Sequence, residues 1–258
     1  MKTDKPIIEV RDLVARYGDH TVLDGISFDV YAGEIFVILG GSGCGKTTLL
    51  KHMVGLIKPV SGAILYRGAD ITKMDEEELA QLLQKVGIAF QGGALFNSMS
   101  VAENVGLPLE EYGHVDEEMM NILVNMKLGL VGLANYGYLM PSELSGGMKK
   151  RVGFARAIAI DPETVFFDEP SSGLDPIMAA GLDKLILKIR KFTDVTMIVV
   201  THELESILTI ADRILMLDRG KIIFMGTVAD AEKCDNARVC QFFHRQPDES
   251  IEARDVIG

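Results

Sequence analysis

The segment Gly40-Gly41-Ser42-Gly43-Cys44-Gly45-Lys46-Thr47 constrains this chain more than any other. A short apolar run of strand type, Ile35-Phe36-Val37-Ile38-Leu39, precedes it. Thr48-Leu49-Leu50-Lys51-His52-Met53-Val54 follows and reads as a helix ending near Gly55. Glycines carry no Cβ, so successive backbone N–H groups can converge on one anion. The helix that follows aims its positive end at the same point. Lys46 adds a full charge for terminal phosphates, the Thr47 hydroxyl is a ligand of the kind Mg²⁺ takes, and Thr48 extends the same phosphate-binding set. Strand, glycine loop and helix in this order point to a nucleoside triphosphate, without saying what it is used for.

A chain of 258 residues, 48% hydrophobic, can bury a real core as one large α/β domain or as a domain with an inserted lobe. No apolar run approaches the roughly 20 residues that cross a bilayer. Met1 to Pro6 leads into an alternating strand rather than a leader, so a soluble, cytoplasmic chain is expected. A net charge of −11 opposes a broad nucleic-acid surface, and it leaves the triphosphate to be held by local positive charge. Cys44, Cys234 and Cys240 are odd in number and lack C-x-x-C spacing, which argues against a disulfide framework. Cys44 reads as a small side chain that fits the loop.

Residues 7–39 read as strands, with a break expected at Gly25 and Tyr17 at the tip of an early turn. Residues 75–84 are helical in pattern, and Val86 to Phe90 is a strand ending at Gln91. From 92 to 160 the chain turns helix-rich, with helices expected over 101–109, 116–130 and from Ser145 onward. Ser145 is a candidate N-cap, and Gly146 and Gly147 expose N–H groups at a helix start. That is either an ordinary capped helix or a second anion site. Thr164-Val165-Phe166-Phe167 delivers Asp168 and Glu169 to a sheet edge, where parallel α/β sheets place ligands. Asp168 suits Mg²⁺, and Glu169 suits a general base acting on water. A buried strand, Val195 to Thr201, ends at His202, and 214–217 and 221–226 form a late hairpin. Residues 247–258 are polar and are expected to be a loose tail.

In order and spacing these motifs resemble the ATPase subunit of ABC transporters over residues 7 to 230. Residues 40–47 match Walker A, Gln91 the Q-loop and Leu144-Ser145-Gly146-Gly147-Met148 the signature motif. Thr164 to Asp168 match Walker B, Glu169 the catalytic glutamate, Ser172 to Asp175 the D-loop, His202 the switch histidine and Tyr17 the adenine-stacking aromatic. The resemblance implies an α/β P-loop NTPase core with an antiparallel β-subdomain (1–91 and 161–230), an inserted helical lobe (92–160) and a C-terminal extension (231–258). It implies ATP and Mg²⁺, the latter at Thr47, Gln91 and Asp168. It implies a homodimer in which Ser145, Gly146 and Gly147 of one copy meet the nucleotide on the other and Asp175 spans the interface. It also implies a membrane permease docked in a groove near Gln91 to Met99, with Leu95 and Phe96 partly in that groove. A narrower resemblance, to Mla/Mce-type phospholipid-transport ATPases, rests on Phe90 to Val105, Pro108, Met148 and Arg238 to Phe243. Ser171-Ser172-Gly173-Leu174-Asp175 keeps the general ABC form. That branch implies an inner-membrane lipid transporter with an Mce-type lipid-binding partner. A small-solute importer ATPase is the alternative within the fold. A soluble nucleic-acid- or ribosome-associated ABC ATPase is disfavoured by acidity and by the lack of a second ATPase domain.

Overall fold

The computed structural model describes residues 5–113 and 115–246. In chain order the elements are β1 (Pro6–Tyr17), β2 (His20–Tyr31), β3 (Ile35–Gly40), α1 (Lys46–Met53), β4 (Ser61–Tyr66), β5 (Ala69–Asp70), α2 (Glu76–Leu83) and β6 (Val86–Ala89). There follow α3 (Val101–Tyr112), α4 (Glu117–Leu130), α5 (Gly146–Ala157), β7 (Thr164–Asp168), α6 (Pro176–Thr193), β8 (Thr196–Val200) and α7 (Leu204–Ile210). The hairpin β9 (Arg213–Asp218) and β10 (Lys221–Gly226) precedes two short helices, α8 (Val228–Ala231) and α9 (Ala237–Phe243).

Two sheets result. One is antiparallel, in the order β2-β1-β4-β5; the other runs β10-β9-β3-β8-β7-β6 and is parallel except for β10. β3 explains how they stack. All its residues are buried, as expected of a central parallel strand covered on both faces. Phe36 and Ile38 pack with α1 and the antiparallel sheet. Ile35, Val37 and Leu39 pack with α5, α6 and the other helical residues. The Phe28 and Phe36 rings stack at 5.5 Å on the first side, and Phe154 of α5 stacks on Phe167 of β7 at 4.2 Å on the second.

The expected α/β architecture with a helical insertion is present: α3, α4 and α5 fall between the adjacent strands β6 and β7. Their starts follow capping chemistry. Ser100 and Glu103 form a reciprocal capping box, Asp116 accepts from Met119 N, and Ser145 accepts from Met148 N. The break expected at Gly25 does not split the strand. β2 is continuous there, and Gly25 at φ 68° sits where the β1–β2 register shifts. The stretch 247–258 lies outside the described residues. Among those described, no helix is long and apolar enough to cross a membrane.

Candidate active site

Four parallel strands end at one edge, and each delivers a motif there. β3 runs into the glycine loop, β7 into Asp168 and Glu169, β8 into Thr201 and His202, and β6 into Phe90 and Gln91. The loop is tight. Gly40 has φ 148°, and a Cβ on it would lie 2.3 Å from Leu217 O and 2.6 Å from Cys44 Sγ. A Cβ on Gly45, at φ 106°, would lie 2.7 Å from Leu23 Cδ2 and 3.1 Å from Val22 O of β2, so the loop is pinned between both sheets. Gly45 is also the N-cap of α1, with no side-chain cap and no acid in the first turn. Lys46 is buried, and its Nζ donates to Gly40 O at 2.9 Å and Gly41 O at 3.0 Å, which holds the ammonium over the loop. Ser42 and Gly43 are exposed at its crest, while Cys44 is buried and its thiol is pushed up by burial despite Lys46. Cys44 is therefore a packing residue rather than a reactive thiol.

Thr47 Oγ1 lies 3.5 Å from Asp168 Oδ1. Burial raises the Asp168 carboxyl above its ordinary value and the neighbouring Glu169 charge adds to it; Thr47, Lys51 and Lys46 oppose the shift. Glu169 holds a left-handed backbone, φ 49°, with its N–H donating to Val200 O at 2.8 Å. His202 Nδ1 lies 2.9 Å from Glu169 Oε1, while Oε2 is buried without a hydrogen-bond partner. A buried carboxylate oxygen without a donor marks a place built to receive one. The donor set beside it fits a hard divalent cation. Thr47 and Asp168 supply a hydroxyl and a carboxylate, and no group of three or more His, Cys, Asp or Glu competes for a metal among the described residues.

Among the described residues, the remaining predicted residues make no hydrogen bond to the loop. Ser145 caps α5 with Oγ 3.3 Å from Met148 N, and Gly146 is exposed beside it. Gly147 is buried, because a Cβ there would meet Met178 Cε at 2.5 Å. Asp175 caps α6, accepting from Ile177 N and Met178 N at 3.0 Å each. No hydrogen bond among the described residues joins Ser145 or Asp175 to residues 40–48 or to Glu169. Tyr17 is 52% exposed, next to Gly18 at φ 57°. Gln91 is bonded elsewhere than to Thr47 or Asp168: its Nε2 donates to Ser172 Oγ at 3.3 Å.

Of residues 91–99, where a groove is expected, Ala94 and Phe96 line a cavity of about 520 Å³, together with Leu107, Pro108, Tyr112 and Arg156 among others. Phe96 is half exposed, with the Arg156 guanidinium 5.9 Å from its ring centre. Leu95 does not line it; it turns inward onto the apolar core around α3 and α5. Asn104 explains the loop's shape. It is fully buried, accepts from Phe96 N at 2.8 Å and donates to the carbonyls of Phe96, Met99 and Ser100.

Residues 23–172 match the family model described as "ABC transporter". The chain is 41% identical to the intermembrane phospholipid transport system ATP-binding protein MlaF of Haemophilus influenzae, over 94% of this chain and 92% of that protein. The chain belongs to the ABC transporter family. A further member, the MlaF of Escherichia coli K12, is 39% identical over 98% of this chain and 94% of its own. The probable ribonucleotide transport ATP-binding protein mkl of Mycobacterium leprae is also 39% identical, over 92% of this chain and 68% of its own. Among solved structures, cbiO1 of Clostridium perfringens, part of an ABC transporter complex, superposes with a TM-score of 0.82 at 27% identity, covering 98% of this chain and all of that one. A dimeric ATP-binding cassette in a post-hydrolysis state, bound to ADP and Pi, does so with a TM-score of 0.79 at 26% identity, covering 86% and 98%.

In this member of the ABC transporter family, the turn at Gly93 packs closely on α5. A Cβ on Gly93, at φ 83°, would lie 2.8 Å from Lys149 O, and one on Gly153 would lie 3.2 Å from Gly93 Cα; Arg156 donates to Gly93 O at 2.9 Å. Sequence reading passed over Asn104 and Lys150, which hold loops through main-chain carbonyls. Their signal, a polar residue inside a helix's buried face, emerges only once the helix is packed.

Proposed function

We propose that this chain is the ATP-binding and ATP-hydrolysing subunit of an ABC transporter that moves phospholipid, working as a homodimer. The carrying observation is the pair Glu169–His202 at 2.9 Å, set at the same sheet edge as the glycine loop and Asp168. In this reading the loop N–H groups and Lys46 hold the β- and γ-phosphates, and Tyr17 stacks on the base. Thr47 and Asp168 would hold Mg²⁺, which when bound would offset charge on the phosphates; Gln91 would join that set once its Ser172 bond is released. Glu169 accepts a proton from the attacking water, and its unpartnered Oε2 is the oxygen free to do so. His202 orients Glu169 through its Nδ1 contact with Oε1, and donating to a γ-phosphate at the same time would require the doubly protonated ring.

Ser145, Gly146 and Gly147 present a capped helix start that, among the described residues, makes no hydrogen bond to residues 40–48. A second copy placed head to tail would set that start against the other copy's nucleotide, with Asp175 between the two. Hydrolysis then removes the ligand that joins the copies, and opening becomes the mechanical step. The groove around Phe96 and Pro108 suits a permease helix, a helix-in-groove contact. The chain would thereby lie peripherally on the cytoplasmic face of a bacterial inner membrane, in a complex holding an Mce-type lipid-binding protein.

The phospholipid cargo is supported by the two MlaF relatives, which match nearly end to end. The mkl relative favours a second reading, ribonucleotide transport. The two separate in one measurement: ATPase activity of the chain with its permease in vesicles, with phospholipid or ribonucleotide offered as cargo. Stimulation by phospholipid alone supports the proposal, and stimulation by ribonucleotide alone replaces it.

A further inference from the structure

Lys150 lies in the second turn of α5, five residues beyond Ser145, and is buried at 8% exposure. An ammonium is costly to bury without partners. Burial pushes it toward the neutral form, and the Glu169 charge opposes that. Its hydrogen bonds go to main chain: Nζ donates to Glu169 O at 3.4 Å and, more closely, to Ser172 O. These two carbonyls bracket a single turn, in which Ser172 N donates to Glu169 O at 3.2 Å and Glu169 keeps its left-handed φ of 49°. A non-glycine residue stays in that region only where its surroundings hold it there. Val200 O holds the Glu169 N–H from the β8 side. Lys150 holds the opposite end of the same residue from α5. Ser172 is also the acceptor for Gln91. One ammonium thus joins the helix that begins at Ser145 to the turn carrying Glu169 and to the loop leading to Asp175.

We propose that Lys150 is a positioning residue for ATP hydrolysis: its ammonium clamps the carbonyls of Glu169 and Ser172, so that the aim of Glu169 depends on where the signature helix sits. The proposal rests on the reading of Glu169 as the base. It gives that reading a route by which the helix start engaging one nucleotide sets the base for the other. A purely structural lysine would lower the amount of folded protein and leave the turnover of each folded molecule intact.

The test is steady-state ATPase of the full chain, normalised to nucleotide-binding sites, for Lys150→Met and Lys150→Arg, with Glu169→Gln beside them. Lys150→Met should lower kcat by about 10- to 100-fold, the scale of a misplaced catalytic group, with KM for ATP unchanged. Lys150→Arg, which keeps a buried donor and its charge, should recover most of kcat. Should Lys150→Met not fold, Lys150→Gln takes its place under the same criterion. Parental kcat per site in Lys150→Met, or failure of Lys150→Arg to recover a lost kcat, overturns the proposal. If Glu169→Gln is inactive while Lys150→Met is normal, positioning alone fails; if Glu169→Gln turns over like the parent, the base assignment fails first.

Discussion

Replacing Glu169 by glutamine separates chemistry from stability in this site. The substitution keeps volume and leaves an oxygen to accept from His202 Nδ1 at the present 2.9 Å. It puts an NH₂ where Oε2 now lies buried without a partner. An unsatisfied buried polar atom costs about 1–3 kcal/mol, and the parent already carries one at Oε2, so the exchange changes stability by no more than that. At roughly 2–4 °C per kcal/mol for a chain of this size, any drop in the melting midpoint stays below about 12 °C. A domain stable by about 5–15 kcal/mol remains folded at 25 °C after such a loss. Loss of a general base costs about 10²- to 10⁴-fold in rate, or roughly 2.7–5.4 kcal/mol of barrier. The kinetic effect therefore exceeds the structural one and can be read on folded protein. Single-turnover phosphate release should fall by that factor, while titration with a fluorescent ATP analogue shows retained binding. Light scattering should show an ATP-dependent dimer that no longer decays. Parental phosphate release by folded, nucleotide-loaded Glu169→Gln would refute the reasoning.

Gly40→Ala places a Cβ 2.3 Å from the Leu217 carbonyl at φ 148°, so the loop must move. Nucleotide affinity should drop by at least about tenfold, with strain of about 1–3 kcal/mol in a thermal melt; unchanged affinity would count against the loop's role. Phe154→Ala removes a buried ring stacked at 4.2 Å on Phe167. It should cost about 3–5 kcal/mol, a midpoint drop of about 6–20 °C, seen by calorimetry. Asp168 is held above its ordinary carboxylate value, so the native state keeps that proton longer than the unfolded chain does. Stability without nucleotide therefore falls as pH rises from the ordinary value through the raised one. Asp168→Asn should melt higher than the parent at neutral pH, with the gain vanishing below the ordinary carboxylate range, while Mg²⁺-dependent hydrolysis is lost. A lower midpoint at neutral pH would contradict this. Asn104→Ala should leave the basal ATPase intact yet weaken permease co-purification, because the Phe96 loop loses its four main-chain bonds.

The motifs themselves were legible in the sequence because each resides in local pattern. Glycines before Lys46 and Thr47, an apolar run ending in Asp168 and Glu169, and a strand ending at His202 are each readable over fewer than ten residues. Chain order then identified the family. The helix starts expected at 101, at 116 and from Ser145 were likewise local, since a cap is a side chain bonding N–H groups two or three residues on. Tertiary structure alone decided what long-range contact controls. Leu95 turned to the core and Phe96 to the groove because Asn104 folds their loop from eight residues away. Gln91 reached Ser172, and Lys150 reached the Glu169 turn, across separations of 81 and 19 residues. Sequence periodicity reports which face of an element is buried. It carries no record of which carbonyl a buried ammonium will find, because that depends on how the helical insertion seats against β7.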